Sequence, residues 1–423
     1  MRRISLAAMA LLASGCRYVS IGAGDGGAGG PLLPDSSTTS SGDDSDVDAG
    51  DDGAAPPATG DAAIAPLGQA AAVAAGEQHT CTLTTTGTVY CWGDNANGQL
   101  GDGTTTNRST PVEVSGLAAG MTGVTALAAG YTHTCALVGG AVSCWGQNDH
   151  GQLGDGTTND RARPTHVQGL RGTAIAISVG GTHSCAVTER GVSCWGGNAD
   201  GQLGDGSTAD SATPVSVVGV GAGVTSVAAG GAHTCALESG GAIACWGFDA
   251  DGQLGNGATS PSSPPTAVAG IAGPATKVCT GNLFSCALVS GAVSCWGFGE
   301  LGQVGNASTD TTSAPVSVSG MGTGVVNIAT GVSHACGIGP SGSVWCWGDN
   351  QSGQLGNGDV ALADQSVAVQ AMTVTGATAL AAGAAHTCVV AGGRVLCWGW
   401  NVSGQLGNGS DDDSLAPVEV AGF

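Results

Sequence analysis

The chain has 423 residues, 77 of them glycine and 16 cysteine, and a formal charge of −22. An acid excess of that size repels phosphate backbones and excludes nucleic acid as a partner class. The apolar stretch from Ile4 to Leu12 is the one hydrophobic run at the N-terminus, and it is too short to span a membrane.

Residues 1–16 carry Arg2 and Arg3, the apolar stretch, and the small residues Ala13, Ser14 and Gly15 before Cys16. This is a secretory signal pattern. It resembles the bacterial lipoprotein signal, which implies that Cys16 is lipidated and becomes the mature N-terminus, although Ala13 stands where that family prefers Leu. Residues 17–66 hold nine Asp against the single base Arg17 in a Gly/Ser/Pro/Ala background. Such a composition cannot bury a core, and it reads as a disordered acidic tether.

From residue 67 onward the chain repeats. Seven tryptophans, Trp92, Trp145, Trp195, Trp246, Trp296, Trp347 and Trp398, each follow a cysteine and recur at intervals of 50 to 53 residues. A period near fifty marks a repeat architecture. Each repeat offers four β-rich runs, in the second repeat Pro111–Val114, Val124–Leu127, His133–Val138 and Ala141–Trp145. Seven units of four strands predict an all-β, seven-bladed β-propeller over 67–423. The chain enters in a second-type run at Ala71–Ala75 and leaves in a first-type run at Pro417–Val420. The C-terminal strand is therefore expected to join the first blade and close the ring.

Cysteines pair within each repeat. Cys135 and Cys144 flank a two-residue Gly139-Gly140 turn, which supplies the positive φ that a tight hairpin needs, so counting outward sets one cysteine opposite the other. In the longer variant a third loop residue is added, with Gly87, Gly241 or Gly342 at the left-handed position. Facing residues at a non-hydrogen-bonded position come close enough for a cross-strand disulfide. Seven bridges are predicted: Cys81 to Cys91, Cys135 to Cys144, Cys185 to Cys194, Cys235 to Cys245, Cys286 to Cys295, Cys336 to Cys346 and Cys388 to Cys397. Zinc is a poor alternative, because no second Cys-x-x-Cys completes a tetrahedron. Disulfides and an export signal together predict an exported protein of the cell envelope.

The repeat Gly-x-x-His-Thr/Ser-x-x-Leu, Trp-Gly-x-Asn-x-x-Gly-Gln-Leu-Gly, then Pro-x-x-Val resembles the regulator of chromosome condensation repeat. The resemblance implies a seven-bladed propeller. Phe284 in place of His, Val304 in place of Leu and a sixth repeat without the Pro depart from the pattern, and the paired cysteines are foreign to the family's nuclear members. Nucleotide exchange on a nuclear GTPase, the family's founding activity, does not suit an exported protein. The secreted bacterial relatives, one of which covers the active sites of β-lactamases, imply instead a propeller face that binds protein.

His79, His133, His183, His233, His334 and His386 stand one per blade, which predicts structural histidines rather than clustered metal ligands. Turns such as Asp249-Ala-Asp251-Gly252 lack the first ligand position of a calcium loop and read as turn chemistry. Cys279 aligns with Ala128, Ala228 and Ala381 and reads as a small buried thiol. No nucleophile elbow, phosphate loop or His-Glu-x-x-His is present, so neither catalysis, cofactor nor metal is predicted.

The function expected is a monomeric, tethered module that binds a protein or a glycan at the cell surface and meets the membrane only through its lipid anchor. Two other readings stay open: a carbohydrate lyase or glycosidase using carboxylates such as Asp94, Asp249, Glu300 and Asp349 gathered at the ring centre, or a purely structural envelope protein. The binding face is placed on the rim away from the hairpin turns. There, three residues after the second cysteine, stand Asp94, Gln147, Gly197, Phe248, Phe298, Asp349 and Trp400, and four residues before the first cysteine stand Glu77 and Tyr131. Repeats that agree elsewhere diverge at these positions, with aromatic anchors suited to an asymmetric contact.

Overall fold

The computed structural model describes residues 66–117, 123–221 and 223–423, without the side chains of 261–263. The expectations for the signal, Cys16 and residues 17–65 lie outside the described residues. The described chain forms seven four-stranded antiparallel sheets. Its single helical turn among those residues is the 3-10 turn Pro340–Gly342.

The blades span 70–113, 124–166, 174–216, 224–267, 275–317, 327–370 and 377–419. Within each, four strands follow one another in chain order from the first strand to the fourth. First strands of successive blades touch around a closed circuit that returns from blade seven to blade one, so they line the axis. Second strands such as His183–Thr188 are buried throughout, because a neighbouring blade covers each of their faces. Fourth strands such as Arg161–His166 are only half buried at the outside.

The hairpin register is the one expected. Val138 pairs with Ala141 across the Gly139-Gly140 turn, where φ is 57° and 85°. Leu83 pairs with Val89 across the longer turn that ends on Gly87 at φ 89°. Each cysteine faces its partner with Cα atoms 4.0–4.1 Å apart, and all seven disulfides form.

The bridges lie in the core between blades. Cys81, Cys91 and Leu100 of blade one pack with Ala136 and Trp145 of blade two. A separate cluster of the same kind closes the ring, where Cys388, Cys397 and Leu406 of blade seven pack on Trp92 of blade one.

The expected closing strand is not used. The last strand, Ser414–Glu419, pairs with its own blade, Val418 opposite Cys397, just as Val112 lies opposite Cys91 in blade one. In four blades the loop before the fourth strand supports this pairing. In blade one the buried Asn95 side chain donates to the carbonyls of Thr104 and Thr106, while the Asn95 N–H donates to Asn107 Oδ1. Those bonds fold the fourth strand back onto the hairpin it follows. Blade one is therefore complete in sequence, and closure rests on blade-to-blade contacts alone.

Candidate protein-binding face

Every joint between blades is built on one carbonyl. In Gly-Gln-Leu-Gly the Gln C=O points at the next blade and accepts its Trp indole N–H, as Gln99 does from Trp145 and Gln405 does from Trp92, both at 2.9 Å. The same carbonyl accepts a hydroxyl from the next blade, Thr134 Oγ1 on Gln99 O at 2.9 Å. Because that hydroxyl proton is committed, His79 Nε2 must be the donor in its 2.8 Å bond to Thr134 Oγ1. An imidazole, a hydroxyl and a carbonyl thus form a relay across the joint, and six of the seven joints carry it. The histidines act between blades, each neutral and fully buried, with burial holding its pKa at about 3 to 4.

On the face away from the hairpin turns, the blades are ordered by backbone bonds. The N–H groups of Asp94, Gln147, Gly197, Phe248, Phe298, Asp349 and Trp400 donate to the carbonyls of residues 78, 132, 182, 232, 283, 333 and 385. Each acceptor lies three residues before the first cysteine of its blade. The rim positions named from sequence do share one end of the molecule, on a scaffold repeated seven times. Phe248, Phe298 and Trp400 are half buried there, and Asp349 is 8% exposed.

Nearer the axis runs a second circle. The N–H groups of Glu77, Tyr131, Gly181, Gly231, Asn282, Val332 and Ala384 each donate to the following blade, the last from Ala384 to Glu77 O at 3.2 Å. Just inside it, glycines pack blade to blade: a Cβ on Gly130 would lie 2.3 Å from Gly180 O. The closeness of that neck is why Gly begins every Gly-x-x-His.

Two side chains of this circle meet across the mouth. Tyr131 of blade two donates its hydroxyl to Asn282 Oδ1 of blade five at 2.7 Å. The intervening positions leave room because both are glycine: a Cβ on Gly181 would meet the Tyr131 ring at 3.1 Å, and one on Gly231 would meet Asn282 Oδ1 at 2.1 Å. Glu77 lies beside them, its pKa raised by burial and by the negative charge of Asp94.

The carboxylates weighed for catalysis serve separate blades. Asp94 Oδ2 accepts from Gln99 Nε2 at 2.6 Å, and Asp349 Oδ1 accepts the Gln351 N–H at 3.0 Å. Asp249 is buried in its turn and accepts the Leu254 N–H at 3.0 Å, the role that Asn95, Asn148, Asn198, Asn350 and Asn401 have elsewhere. Glu300 is exposed, and the pKa of Asp251 is raised by burial and, less, by the Glu300 charge. Among described residues, Glu77 is the only carboxylate lining the axial cavity. Burial raises the Cys279 thiol to about 11, in register with Cys286. No group of three or more His, Cys, Asp or Glu among the described residues is arranged to hold a metal.

Asn282 and the blade-spanning relay are not among the sites expected from sequence. A hydroxyl residue follows the His position in every blade except at Ala335, which was the available signal.

This geometry defines a seven-bladed propeller of serially bonded fifty-residue repeats. The regulator of chromosome condensation (RCC1) repeat model matches residues 86–137, 139–187, 192–237, 241–288, 290–338, 341–390 and 392–423, and the chain belongs to that family. Human E3 ubiquitin-protein ligase HERC2 is 38% identical over 103 residues, 24% of this chain and 2% of that protein. Human HERC4, a probable E3 ubiquitin-protein ligase, is 33% identical over 103 residues, 24% of this chain and 10% of that protein. The chain thus spans a small part of these relatives. Among solved structures, human WBSCR16 superposes with a TM-score of 0.69 at 25% identity, covering 77% of this chain and 87% of that one. Yeast RCC1 (Prp20), solved bound to Kap60, has a TM-score of 0.70 at 20% identity over 78% of this chain and 83% of its own.

Proposed function

We propose that this protein is an exported, lipid-anchored and disulfide-stapled propeller that acts by binding another protein, not by catalysis, through the face opposite its hairpin turns. One observation carries the reading. Seven rim positions with the same backbone hydrogen bond bear five different residue types, with no one type in more than two blades: Asp94, Gln147, Gly197, Phe248, Phe298, Asp349 and Trp400. Packing demands alone would repeat the residue wherever they repeat the bond, whereas an asymmetric partner calls for anchors at particular places. Relatives support the class: yeast Prp20p is described with binding properties toward Gsp1p and histones.

The test is capture of partner from the native cell envelope by the purified chain. Phe248→Ala, Phe298→Ala and Trp400→Ala each keep the melting temperature and weaken capture by at least ~1 kcal/mol, about fivefold. Normal capture by all three, with loss on changing Glu189 and Arg190 in a hairpin turn, places the partner on the other face. Tethering has its own test: Cys16→Ser moves the protein from the membrane fraction to the soluble one, and an unchanged distribution removes the anchor from the reading.

A further inference from the structure

Resting on the protein-binding reading, we propose that the axial cavity between Glu77, Tyr131 and Asn282 receives one cationic side-chain tip, an arginine or lysine presented by the bound protein. The cavity lies at the centre of the candidate face and is lined by residues from all seven blades. Its volume is about 70 Å³. Sites for drug-sized ligands run to roughly 300 Å³ and more, so this one suits the end of a side chain better than a sugar ring or a nucleotide.

Its chemistry selects the sign of charge. Glu77 is the only charged residue lining the cavity among those described, and its carboxylate makes no hydrogen bond or ion pair with them. Asp94 adds a second negative field at the same place, which works against the Glu77 charge rather than balancing it. A cation entering from outside would relieve that repulsion and regain the solvation that burial takes from the carboxylate.

The remaining walls suit a cation too. The Tyr131 ring, held across Gly181 by its bond to Asn282, offers a π surface beside the carboxylate. Its orientation is fixed at both ends, so little ordering remains to oppose binding. The rest of the lining is small and uncharged, mostly Gly, Ala, Val and Thr, and brings no competing base.

The experiment titrates the full chain with acetyl-Gly-Arg-Gly-amide, its lysine counterpart and its citrulline counterpart, followed by saturation-transfer NMR on the peptide. At least one cationic peptide binds, and citrulline, of similar shape but uncharged, binds at least tenfold more weakly. Glu77→Gln lowers the affinity for the cationic peptide at least tenfold. Asp94→Asn, which lies outside the cavity, lowers it by a smaller factor and covers the case in which Glu77→Gln fails to fold. Equal binding of the arginine and citrulline peptides, binding of neither cationic peptide, or an unchanged affinity in folded Glu77→Gln overturns the proposal. The peptides probe the cavity alone, so its failure is separable from that of the broader reading: rim variants that lose partner capture while no peptide binds would leave a protein-binding face without a cationic anchor.

Discussion

Phe284 of blade five and Ala335 of blade six share one buried core cluster, at the single joint where both halves of the imidazole-hydroxyl pair are absent. At the other six joints a histidine meets a Thr or Ser hydroxyl of the next blade. The two exceptions are one event, since an imidazole there would face a methyl and a lone hydroxyl would face a phenyl ring. The Trp347 indole still donates to Gln303 O at 3.0 Å, so the joint keeps its other bond.

Restoring one half of the pair should therefore differ from restoring both. Phe284→His alone destabilises by about 2 kcal/mol, from lost apolar burial and a buried N–H without its acceptor. Adding Ala335→Thr recovers at least ~1 kcal/mol of that loss, measured as the coupling term of a double-mutant cycle in urea. Strictly additive effects would mean that the relay is not a pairwise unit.

Acid should loosen the ring well above the usual carboxylate range. Six imidazoles have folded pKa values of about 3 to 4 against an ordinary 6.5, with burial the cause. The unfolded chain thus binds more protons across that window, and stability is lost as pH falls below about 6.5. Six carboxylates raised chiefly by burial, Glu77, Asp200, Asp249, Asp251, Asp349 and Asp413, act in the opposite direction, but only Asp349, at about 6, is moved far, whereas all six histidines are. Urea unfolding at pH 7 and pH 5 should differ by at least ~3 kcal/mol, and equal stability would contradict neutral, buried histidines.

Asp249 occupies a place that Asn fills in five other blades. Burial raises its pKa, so its charge costs stability at neutral pH. Asp249→Asn keeps the oxygen that accepts from Leu254 and should stabilise by about 1 kcal/mol at pH 7. The gain should shrink as pH falls through the carboxylate range, which thermal melts at both pH values would show.

The staples can be counted directly. Non-reducing peptide mapping should recover seven bridges, each between nearest cysteines, with Cys279 as a half-buried free thiol. Each short loop stabilises by about 2.5 kcal/mol in the chain-entropy model. Bridges between blades would contradict the hairpin register.

Hairpins, bridges and the shared rim were legible in sequence because each depends on residues within about twenty positions of one another. Gly139-Gly140 fixes the turn, and the turn fixes which cysteine faces which. Ring closure was not legible, because Ser414–Glu419 pairs with its own hairpin, and the bonds that support this lie inside the preceding loop, where the Asn401 amide holds the carbonyls of Ser410 and Asp412. The Tyr131–Asn282 contact was also hidden: it joins residues 151 positions apart, and it depends on two glycines whose own repeats offer no hint of it. His79 and Thr134 stand in the motif as separate repeated letters, and only the ring sets one against the other.

The face bearing Phe248, Phe298 and Trp400 is proposed to receive a protein. The most direct measurement places a photo-cross-linking benzoylphenylalanine at 248, 298 or 400, and at 190 in a hairpin turn, in separate copies of the chain within the native cell envelope. Positions 248, 298 and 400 should trap the same protein, excess unlabelled chain should compete it away, and position 190 should not trap it. Trapping of that protein from 190 alone, or of unrelated proteins from each rim position without competition, would contradict it.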